Sequence, residues 1–470
     1  IDVGTSATKT VLFDENGQIK GSVSCEYPLY QPENGWAEQK AEDWRDAVLK
    51  TLKEVMKLSG VPAEEVKGIG ISGQMHGLVM LDEQGEVLRP SIIWCDQRTG
   101  EEVEDMLRIM PKERWIQITA NPPLTGWTAA KILWVRKHEP EIYARCRHIL
   151  LPKDYIRYIL TGVFATEVSD ASGMQLLDVP GRCWSDEVLE KLEIPKEWLG
   201  TVYESCQVTG TLLPEIAEQT GLTTEVKVVG GAGDNAAAAV GTGVVRDGSA
   251  FTTIGTSGVV FAHSSKVTID PKGRVHTCCC AVPGAWHVMG VTQGAGLSLK
   301  WFKDQFCQDY VAEAKKQGVD VYDLINRDIE KIPVGSDRLL YLPYLMGERT
   351  PHLDPDCRGV FFGLSAIHTK AHLLRAVMEG VSYSLADCNE ILKEMGVDVD
   401  QMMACGGGGK SPIWRQMLSD LYQCQVKTVY QSEGPALGVA ILAGVGCGIY
   451  ESVESACDRL IREDRVSQPS

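Results

Sequence analysis

This sequence of 470 residues has few basic residues relative to acidic ones. It contains 46 Lys and Arg against 63 Asp and Glu, which gives a formal net charge of −17 at pH 7. Binding to nucleic acid or to an anionic membrane surface requires a basic face. The composition therefore argues against both partners. An anionic ligand would need a site built locally from backbone groups and a few side chains.

Long apolar runs and secretion signals are also absent. No stretch approaches the roughly 18 uninterrupted apolar residues of a membrane span, and Ile1-Asp2 does not resemble the start of a signal peptide. We therefore predict no transmembrane helix and expect a cytoplasmic location. The 15 cysteines form no C-x-x-C pair, which favours reduced thiols in the core over a disulfide framework.

The length of the chain predicts more than one domain, because a single hydrophobic core rarely supports so many residues. A polar span runs from about Pro195 to Glu225 and is followed by a strand-like segment. We therefore predict two domains, comprising residues 1–225 and 226–470.

The most distinctive stretch begins that second half and reads VVGGAGDNAAAAVGTG from Val228 to Gly243. β-Branched residues, then glycines, then alanines predict a strand, a tight turn and a helix. Asp234 is thereby placed at a helix N-terminus, where free backbone N–H groups favour a carboxylate. On this stretch alone, Asp234 fits both a structural cap and a functional acid.

One turn occurs twice. Gly4-Thr5-Ser6 separates two short apolar strands near the start, and Gly255-Thr256-Ser257 does the same slightly more than half the chain later. Such a turn can present N–H groups and hydroxyls to a phosphate, and Asp2, at the end of the first strand, can face a metal ion. A plain β-turn is the better explanation of one copy alone, but the repeat predicts two domains of the same type.

Two further strand ends carry polar or aromatic groups. Met75 and His76 follow an apolar strand and lie between Gly73 and Gly77, and α/β proteins place ligands at strand ends. Trp94 follows another strand and precedes an acid and a base. The Trp94 set suits a sugar, although a surface ion pair fits it nearly as well. A structural histidine is the more common explanation of His76 taken alone.

Glycine loops recur in the second half. Gly296 opens a predicted helix, and Gly407, Gly408 and Gly409 belong to a four-glycine loop that precedes Ser411 as helix cap. A strand, glycine loop and helix in this order let a nucleotide approach the backbone closely. The spacing does not match the phosphate-loop motif of P-loop proteins.

Together these segments resemble the FGGY family of carbohydrate kinases over nearly the whole chain. The matching motifs are Asp2–Ser6, Gly73–Gly77, Gly126–Trp134, Gly233–Asn235, Gly255–Ser257 and Gly359–Leu364 with the helix reaching Glu379. The resemblance implies an α/β fold of two actin-like (ribonuclease H-like) ATPase domains, with mixed sheets flanked by helices and a cleft between them. The first domain would bind mainly sugar and the second mainly ATP.

The resemblance also implies roles for particular residues. Asp234 is similar to the family's catalytic base, and Met75, His76, Trp94, Asp234 and Asn235 would contact the sugar. The nucleotide would bind Gly4, Thr5, Ser6, Gly255, Thr256, Ser257, Gly296, Gly407, Gly408 and Gly409, and Asp2 would help to hold Mg²⁺. We expect the helix N-terminus to hold the pKa of Asp234 low.

The implied reaction is transfer of the ATP γ-phosphate to the terminal hydroxyl of D-xylulose, because Met-His at the first sugar turn is similar to the xylulose-specific branch. Another ketose or a polyol is the alternative acceptor. A different class, an actin-like ATPase acting as chaperone or filament protein, would lack the Met75-His76 turn and the Asp234-Asn235 pair. Oligomeric state is left open by the sequence, with a homodimer as one option.

Overall fold

The computed structural model describes residues 1–431 and 433–470. Short strands and helices make up the first half of the chain. Its strands are β1 (Asp2–Val3), β2 (Ala7–Phe13), β3 (Ile19–Glu26), β4 (Glu38–Gln39), β5 (Gly68–Ile69), β6 (Ser72–Gly73), β7 (Val79–Leu81), β8 (Ser91–Ile92), β9 (His148–Leu150), β10 (Ala165–Glu167), β11 (Leu177–Asp178), β12 (Cys183–Trp184), β13 (Thr201–Tyr203), β14 (Val208–Thr211), β15 (Lys227–Val229) and β16 (Ala232–Gly233). Its helices are α1 (Ala41–Ser59), α2 (Gly100–Ile109), α3 (Lys112–Thr119), α4 (Thr128–His138), α5 (Pro140–Arg145), α6 (Pro152–Thr161), α7 (Val168–Ala171), α8 (Asp186–Leu192), α9 (Pro214–Thr220) and α10 (Asp234–Gly241).

The second half has fewer and longer elements. Its strands are β17 (Gly248–Ile254), β18 (Gly258–Ser264), β19 (His276–Cys279), β20 (Trp286–Thr292), β21 (Leu340–Leu342), β22 (Val360–Phe362), β23 (Val399–Cys405), β24 (Gln425–Val429) and β25 (Glu463–Ser467). Its helices are α11 (Gly296–Phe306), α12 (Gln308–Gln317), α13 (Val321–Ile329), α14 (Lys370–Glu394), α15 (Pro412–Tyr422), α16 (Gly434–Gly446) and α17 (Val453–Leu460).

The two principal sheets share one strand order. The first runs β3-β2-β1-β6-β16, with antiparallel pairing as far as β1 and parallel pairing beyond it. The second contains β20-β18-β17-β23-β24 with the same pattern of directions, extended by β19 and β25 at its edges. In each sheet the Gly-Thr-Ser turn joins the central strand of this pattern to its antiparallel neighbour, β1 to β2 in the first and β17 to β18 in the second. The predicted pair of mixed sheets flanked by helices is therefore confirmed.

Helix α1 shows how the sequence pattern becomes packing. Trp44, Val48, Leu52 and Val55 recur at helical spacing, and all four are buried. The helix packs on β2 and β3 and ends at Gly60, whose φ of 64° is the left-handed conformation that favours glycine. The buried face of this helix therefore contributes to the core of the first half.

The predicted boundary after residue 225 falls within hydrogen-bonded structure. Strand β15 pairs with β14 and β5, and β16 pairs with β6, so both belong to sheets of the first half. Helix α10 follows β16 directly. We propose that the domains divide between α10 and β17 instead of at residue 225.

Helix α16 returns from the end of the chain to the first sheet. It packs against α10, β5, β15 and β2, and its many small residues allow the backbones to approach closely. A Cβ atom at Gly438 would overlap the carbonyl oxygen of Ala237. The crossing of α10 and α16 therefore depends on glycine at that position. Within residues 1–431 and 433–470, no helix combines the length and apolar character that a membrane crossing requires.

The close packing of α10 against α16 gives a test of the fold. Gly438→Ala should lower the free energy of unfolding by about 2–3 kcal/mol, because the added methyl forces two helix backbones apart. Gly434→Ala is the matched control: its Cβ would lie 3.9 Å from the nearest atom, and the change should stay within about 0.5 kcal/mol. Denaturant unfolding of both variants measures the difference, and equal stabilities would contradict this packing.

Candidate active site

Three parallel strand ends lie side by side in the first sheet. Asp2 pairs with Ser72 and Ser72 with Ala232, and one residue further on Val3, Gly73 and Gly233 pair in the same way. The segments that follow these strands therefore emerge at one edge of the sheet, where α/β proteins bind ligands. The structure thus brings together the first Gly-Thr-Ser turn, the Met75-His76 turn and Asp234.

Asp234 is the first residue of α10, and Gly233 occupies the N-cap position. Its Oδ1 accepts a hydrogen bond from the backbone N–H of Asn235 at 2.8 Å. Asp234 and Asn235 are both partly exposed at the sheet edge. The carboxylate is thus held at a helix N-terminus as predicted, but one position inside the helix.

The expected low pKa of Asp234 is wrong. Burial is the largest influence, and together with the nearby Asp2 carboxylate it raises the pKa of Asp234 to about 6. Hydrogen bonds from the backbone N–H groups of Asn235 and Asp234 act in the opposite direction but are outweighed. Burial also raises the pKa of Asp2. The charged form is thus disfavoured at both carboxyl groups of this edge, an arrangement that a cation would relieve.

His76 is held tightly beside this pair. Its backbone has a φ of 72°, its ring stacks on Trp127 with centroids 4.6 Å apart, and its Nδ1 lies 2.8 Å from the carbonyl oxygen of Gly173. Burial and the Lys131 charge lower the pKa of His76 to about 3, so the ring is neutral. Because a carbonyl oxygen only accepts, Nδ1 carries the proton and Nε2 is left as an acceptor.

Met75 packs beneath the site. Cβ atoms built on Gly233 and Gly173 would lie 3.0 and 3.1 Å from its side chain. Met75 is 9% exposed. These two glycines therefore leave room for the Met75 side chain between the Asp234 turn and the segment that holds His76.

Trp94 is exposed, whereas the side chains of Asp96 and Arg98, the acid and base that follow it, are buried. Its side chain is 42% exposed, and its Nε1 donates to Thr5 Oγ1 at 2.9 Å, next to the first Gly-Thr-Ser turn. Asp96 and Arg98 instead form a buried ion pair of 2.7 Å, with the guanidinium 3.7 Å from the centre of the Trp36 ring. Only Trp94 of this set therefore faces the site, and the ion pair holds the fold together beneath it.

The predicted nucleotide residues of the second half also lie together. The N–H of Gly296 donates to the carbonyl of Gly255 at 2.7 Å, and the N–H of Leu297 donates to that of Thr256 at 3.2 Å. A Cβ on Gly408 would overlap Ile254, the last residue of β17. The second Gly-Thr-Ser turn, the start of α11 and the four-glycine loop thus meet at the carboxyl end of β17.

Several residues of the site carry no clear signal in the sequence. Lys131 is fully buried, and its Nζ donates to the carbonyls of His76, Ile93 and Gly126 at 3.0, 3.0 and 2.7 Å. His276 of β19 lies 5.3 Å from Trp127, ring centre to ring centre, so the second sheet reaches the His76 stack. The Gly126–Trp134 motif identified the segment containing Trp127 and Lys131 but not these contacts.

Arg349 is a further contribution from the second half. Its charge lies close enough to His76 and His276 to lower the pKa of both. Among the residues that the structure describes, its guanidinium makes no ion pair, and the Arg349 side chain is neither fully exposed nor fully buried. Arg349 therefore contributes positive charge to the surroundings of His76.

The possible metal ligands at this edge are the oxygen atoms of two carboxylates. Asp2 and Asp234 are carboxylates at one edge, and Mg²⁺ commonly binds one or two carboxylates while phosphates and water complete its shell. Lys9, which pairs with Asp2 across β1 and β2, donates to Glu433 Oε1 at 2.7 Å. The donor set therefore fits Mg²⁺ carried with a phosphate ligand.

Comparison with known proteins agrees with this geometry. The model of the FGGY family of carbohydrate kinases, N-terminal domain, matches residues 1–241, and that of the C-terminal domain matches residues 250–447. The xylulose kinase of Bacillus subtilis is 40% identical over 471 residues, covering 100% of this chain and 92% of that protein. The gluconokinase of the same organism is 32% identical and covers 98% and 89%. A solved xyloylose kinase structure from Brucella ovis superposes with a TM-score of 0.91 at 33% identity, covering 100% and 94%.

The raised pKa of Asp234 predicts a cost in stability. An acid whose folded pKa is about 6 and whose unfolded pKa is about 3.8 destabilises the fold increasingly from pH 4 to pH 6 and by a constant amount above that. Because the group is partly exposed, we expect Asp234→Asn to raise the free energy of unfolding by only about 1–2 kcal/mol at pH 8 in metal-free buffer. The gain should vanish at pH 4.

Asp14→Asn is the control, because the pKa of Asp14 is lowered while that of Asp234 is raised. At Asp14 burial is the largest single influence, but the hydrogen bonds from Gln18 and Asn16 and the nearby Lys20 together outweigh it and lower the pKa of that carboxyl. Its replacement should therefore leave stability unchanged or reduce it at pH 8. Equal stability of wild type and Asp234→Asn at pH 8 would contradict the raised pKa.

Proposed function

This chain belongs to the FGGY family of carbohydrate kinases, and we propose that it phosphorylates D-xylulose with ATP to give D-xylulose 5-phosphate. The observation that carries the chemistry is the placement of Asp234 and a neutral His76 at adjacent strand ends. The choice of sugar is supported by full-length similarity to xylulose kinases. The residue roles below are part of the same proposal.

Asp234 acts as the base. As the C5 hydroxyl oxygen of xylulose forms a bond to the γ-phosphorus, the bond from that phosphorus to the β,γ-bridging oxygen breaks and ADP leaves. The hydroxyl proton passes to an Asp234 carboxylate oxygen. Phosphoryl transfer depends on positioning and charge neutralisation more than on a strong base. A carboxylate with a pKa of about 6 is mostly ionised at neutral pH and is adequate for this role.

Sugar recognition follows from the hydrogen-bonding character of the edge. His76 Nε2 accepts a bond from a neutral sugar hydroxyl, since Nδ1–H is engaged by Gly173. Asn235 offers an amide that both donates and accepts, next to the reacting hydroxyl. The exposed face of Trp94 supplies the flat apolar surface on which a sugar packs, beside the Thr5 turn.

The nucleotide lies between the two Gly-Thr-Ser turns. Their N–H groups and hydroxyls cradle the phosphates, with Gly4, Thr5 and Ser6 on one side and Gly255, Thr256 and Ser257 on the other. Gly296 and the loop Gly407–Gly409 line the adenosine end. Asp2 would hold Mg²⁺, whose charge offsets that of the phosphates. A net charge of −17 is then no obstacle, because the site needs no basic surface.

Gluconate is the second candidate acceptor. The gluconokinase similarity supports it, and Arg349 would pair with a carboxylate near His76. The lone pair of His76 Nε2 disfavours a carboxylate at its own position, which is why we place the ketose first.

Asp234→Asn tests the assigned base. The substitution keeps the size and polarity of the side chain but removes its proton affinity, so kcat with MgATP and xylulose should fall about 10²–10⁴-fold. KM for ATP should change little. Asp14→Asn, in the hairpin turn between β2 and β3, should keep wild-type activity. A coupled assay of ADP release measures both variants, and near-normal kcat in Asp234→Asn would remove Asp234 from this role.

A substrate panel tests the sugar. We expect kcat/KM for D-xylulose to exceed that for D-ribulose, gluconate, glycerol and L-ribulose by at least about a hundredfold. ADP release without any sugar provides the baseline. A preference for gluconate, abolished by Arg349→Met, would identify the second candidate as correct. ATP turnover that no sugar stimulates would count against a sugar kinase altogether.

A further inference from the structure

Helix α7 and the turn Ser172–Met174 that follows it contact the segments that form the candidate site. Ser169 Oγ accepts a hydrogen bond from the backbone N–H of Gly233 at 3.2 Å, one residue before Asp234. The carbonyl of Gly173 holds His76 Nδ1 at 2.8 Å, and Ser172 Oγ accepts from the N–H of Cys279 in β19 at 2.9 Å. One short segment therefore contacts the Asp234 turn, the His76 ring and the second sheet.

A helix of four residues is not stable by itself. Glu167 caps it: the carboxylate accepts the N–H groups of Ser169 and Asp170 at 2.7 and 2.9 Å. The same carboxylate accepts the hydroxyls of Ser169 and Ser205 at 2.8 and 3.0 Å. Glu167 is fully buried, so its position depends on these four bonds and on a cation behind it.

That cation is Lys153, whose Nζ lies 3.1 Å from Glu167, 2.9 Å from Asp154 and 2.9 Å from Asp170. Arg157, on the same helix as Lys153, donates to the carbonyl oxygens of Val229 and Gly230 on the approach to the Asp234 turn. All these charged side chains are buried. Breaking one of such a set leaves an uncompensated buried charge, so the arrangement is rigid.

We propose that Ser169 is a positioning residue for the Gly233–Asp234 turn. Its hydroxyl has one proton, which it donates to Glu167, so toward Gly233 it can only accept. The chain from Lys153 through Glu167 and Ser169 to Gly233 thus fixes the peptide that carries the Asp234 carboxylate. This inference rests on the proposed role of Asp234 as base, and it requires that a small displacement of that carboxylate slows transfer.

Ser169→Ala and Ser205→Ala form a matched pair. Both remove a buried hydroxyl that donates to Glu167, but only Ser169→Ala also removes the acceptor for Gly233. We expect kcat for sugar phosphorylation to fall about 10–100-fold in Ser169→Ala and by no more than about threefold in Ser205→Ala. KM for ATP should stay within about twofold in both, and their melting temperatures should fall by similar amounts. Equal kcat values in the two variants would overturn the proposal.

A second substitution tests the same role in case Ser169→Ala does not fold. Ser169→Cys fills a similar volume with a weak acceptor, and its kcat should also fall at least about fivefold; wild-type kcat in this variant would overturn the proposal. The result for Asp234→Asn separates two kinds of failure. If Asp234→Asn is inactive while Ser169→Ala matches Ser205→Ala, only the positioning role is lost. If Asp234→Asn is fully active, the assigned base itself is wrong.

Discussion

Parallel pairing of three very short strands decides where chemistry is possible in this molecule. Strands β1, β6 and β16 have two residues each, so their own ladder hydrogen bonds cannot define the positions of the segments that follow. Buried side chains supply the missing constraint. Lys131 holds the carbonyl of His76, and Ser169 holds the N–H of Gly233. The edge is therefore held by these bonds to its surroundings together with the pairing of the strands.

The use of charge in the interior follows from that constraint. Asp96 and Arg98 form a buried pair below Trp94, and Lys153 lies among Asp154, Glu167 and Asp170 behind Asp234. Burial is costly for every one of these groups and is repaid only by good geometry. Desolvation is the largest influence on Asp170 and raises its pKa, which favours a neutral carboxyl there. The cluster is then nearly balanced in charge, and its value lies in fixed positions more than in stability.

The sequence predicted the repeated turn, the glycine-flanked Met75-His76 turn and the strand–turn–helix at Asp234, because each depends on local conformational preferences of glycine, alanine and β-branched residues. Other features depend on contacts between distant segments. The pKa of Asp234 is set by burial and by Asp2, which lies at the opposite end of the first domain's sequence. The polar span ending at Glu225, on which the predicted domain boundary rests, precedes two strands whose pairing with the first half has no signal in the local sequence. The roles proposed for Ser169 and Arg349 likewise depend on segments distant in sequence, because Ser169 bonds Gly233 and the Arg349 charge acts on His76.

Burial and the Asp2 carboxylate raise the pKa of Asp234, and burial raises that of Asp2, so two ionised carboxylates are an unfavourable arrangement in the free protein. Such an arrangement persists where function requires it and the surrounding structure enforces it. Asp2 is held by pairing with β2 and β6, and Asp234 is held through Gly233, so neither can move away from the other. Binding of a cation together with the phosphates of ATP would remove this repulsion. The free energy released would strengthen the binding of the cation and of ATP. An acidic protein thereby acquires a phosphate site whose attraction is confined to one edge of one sheet.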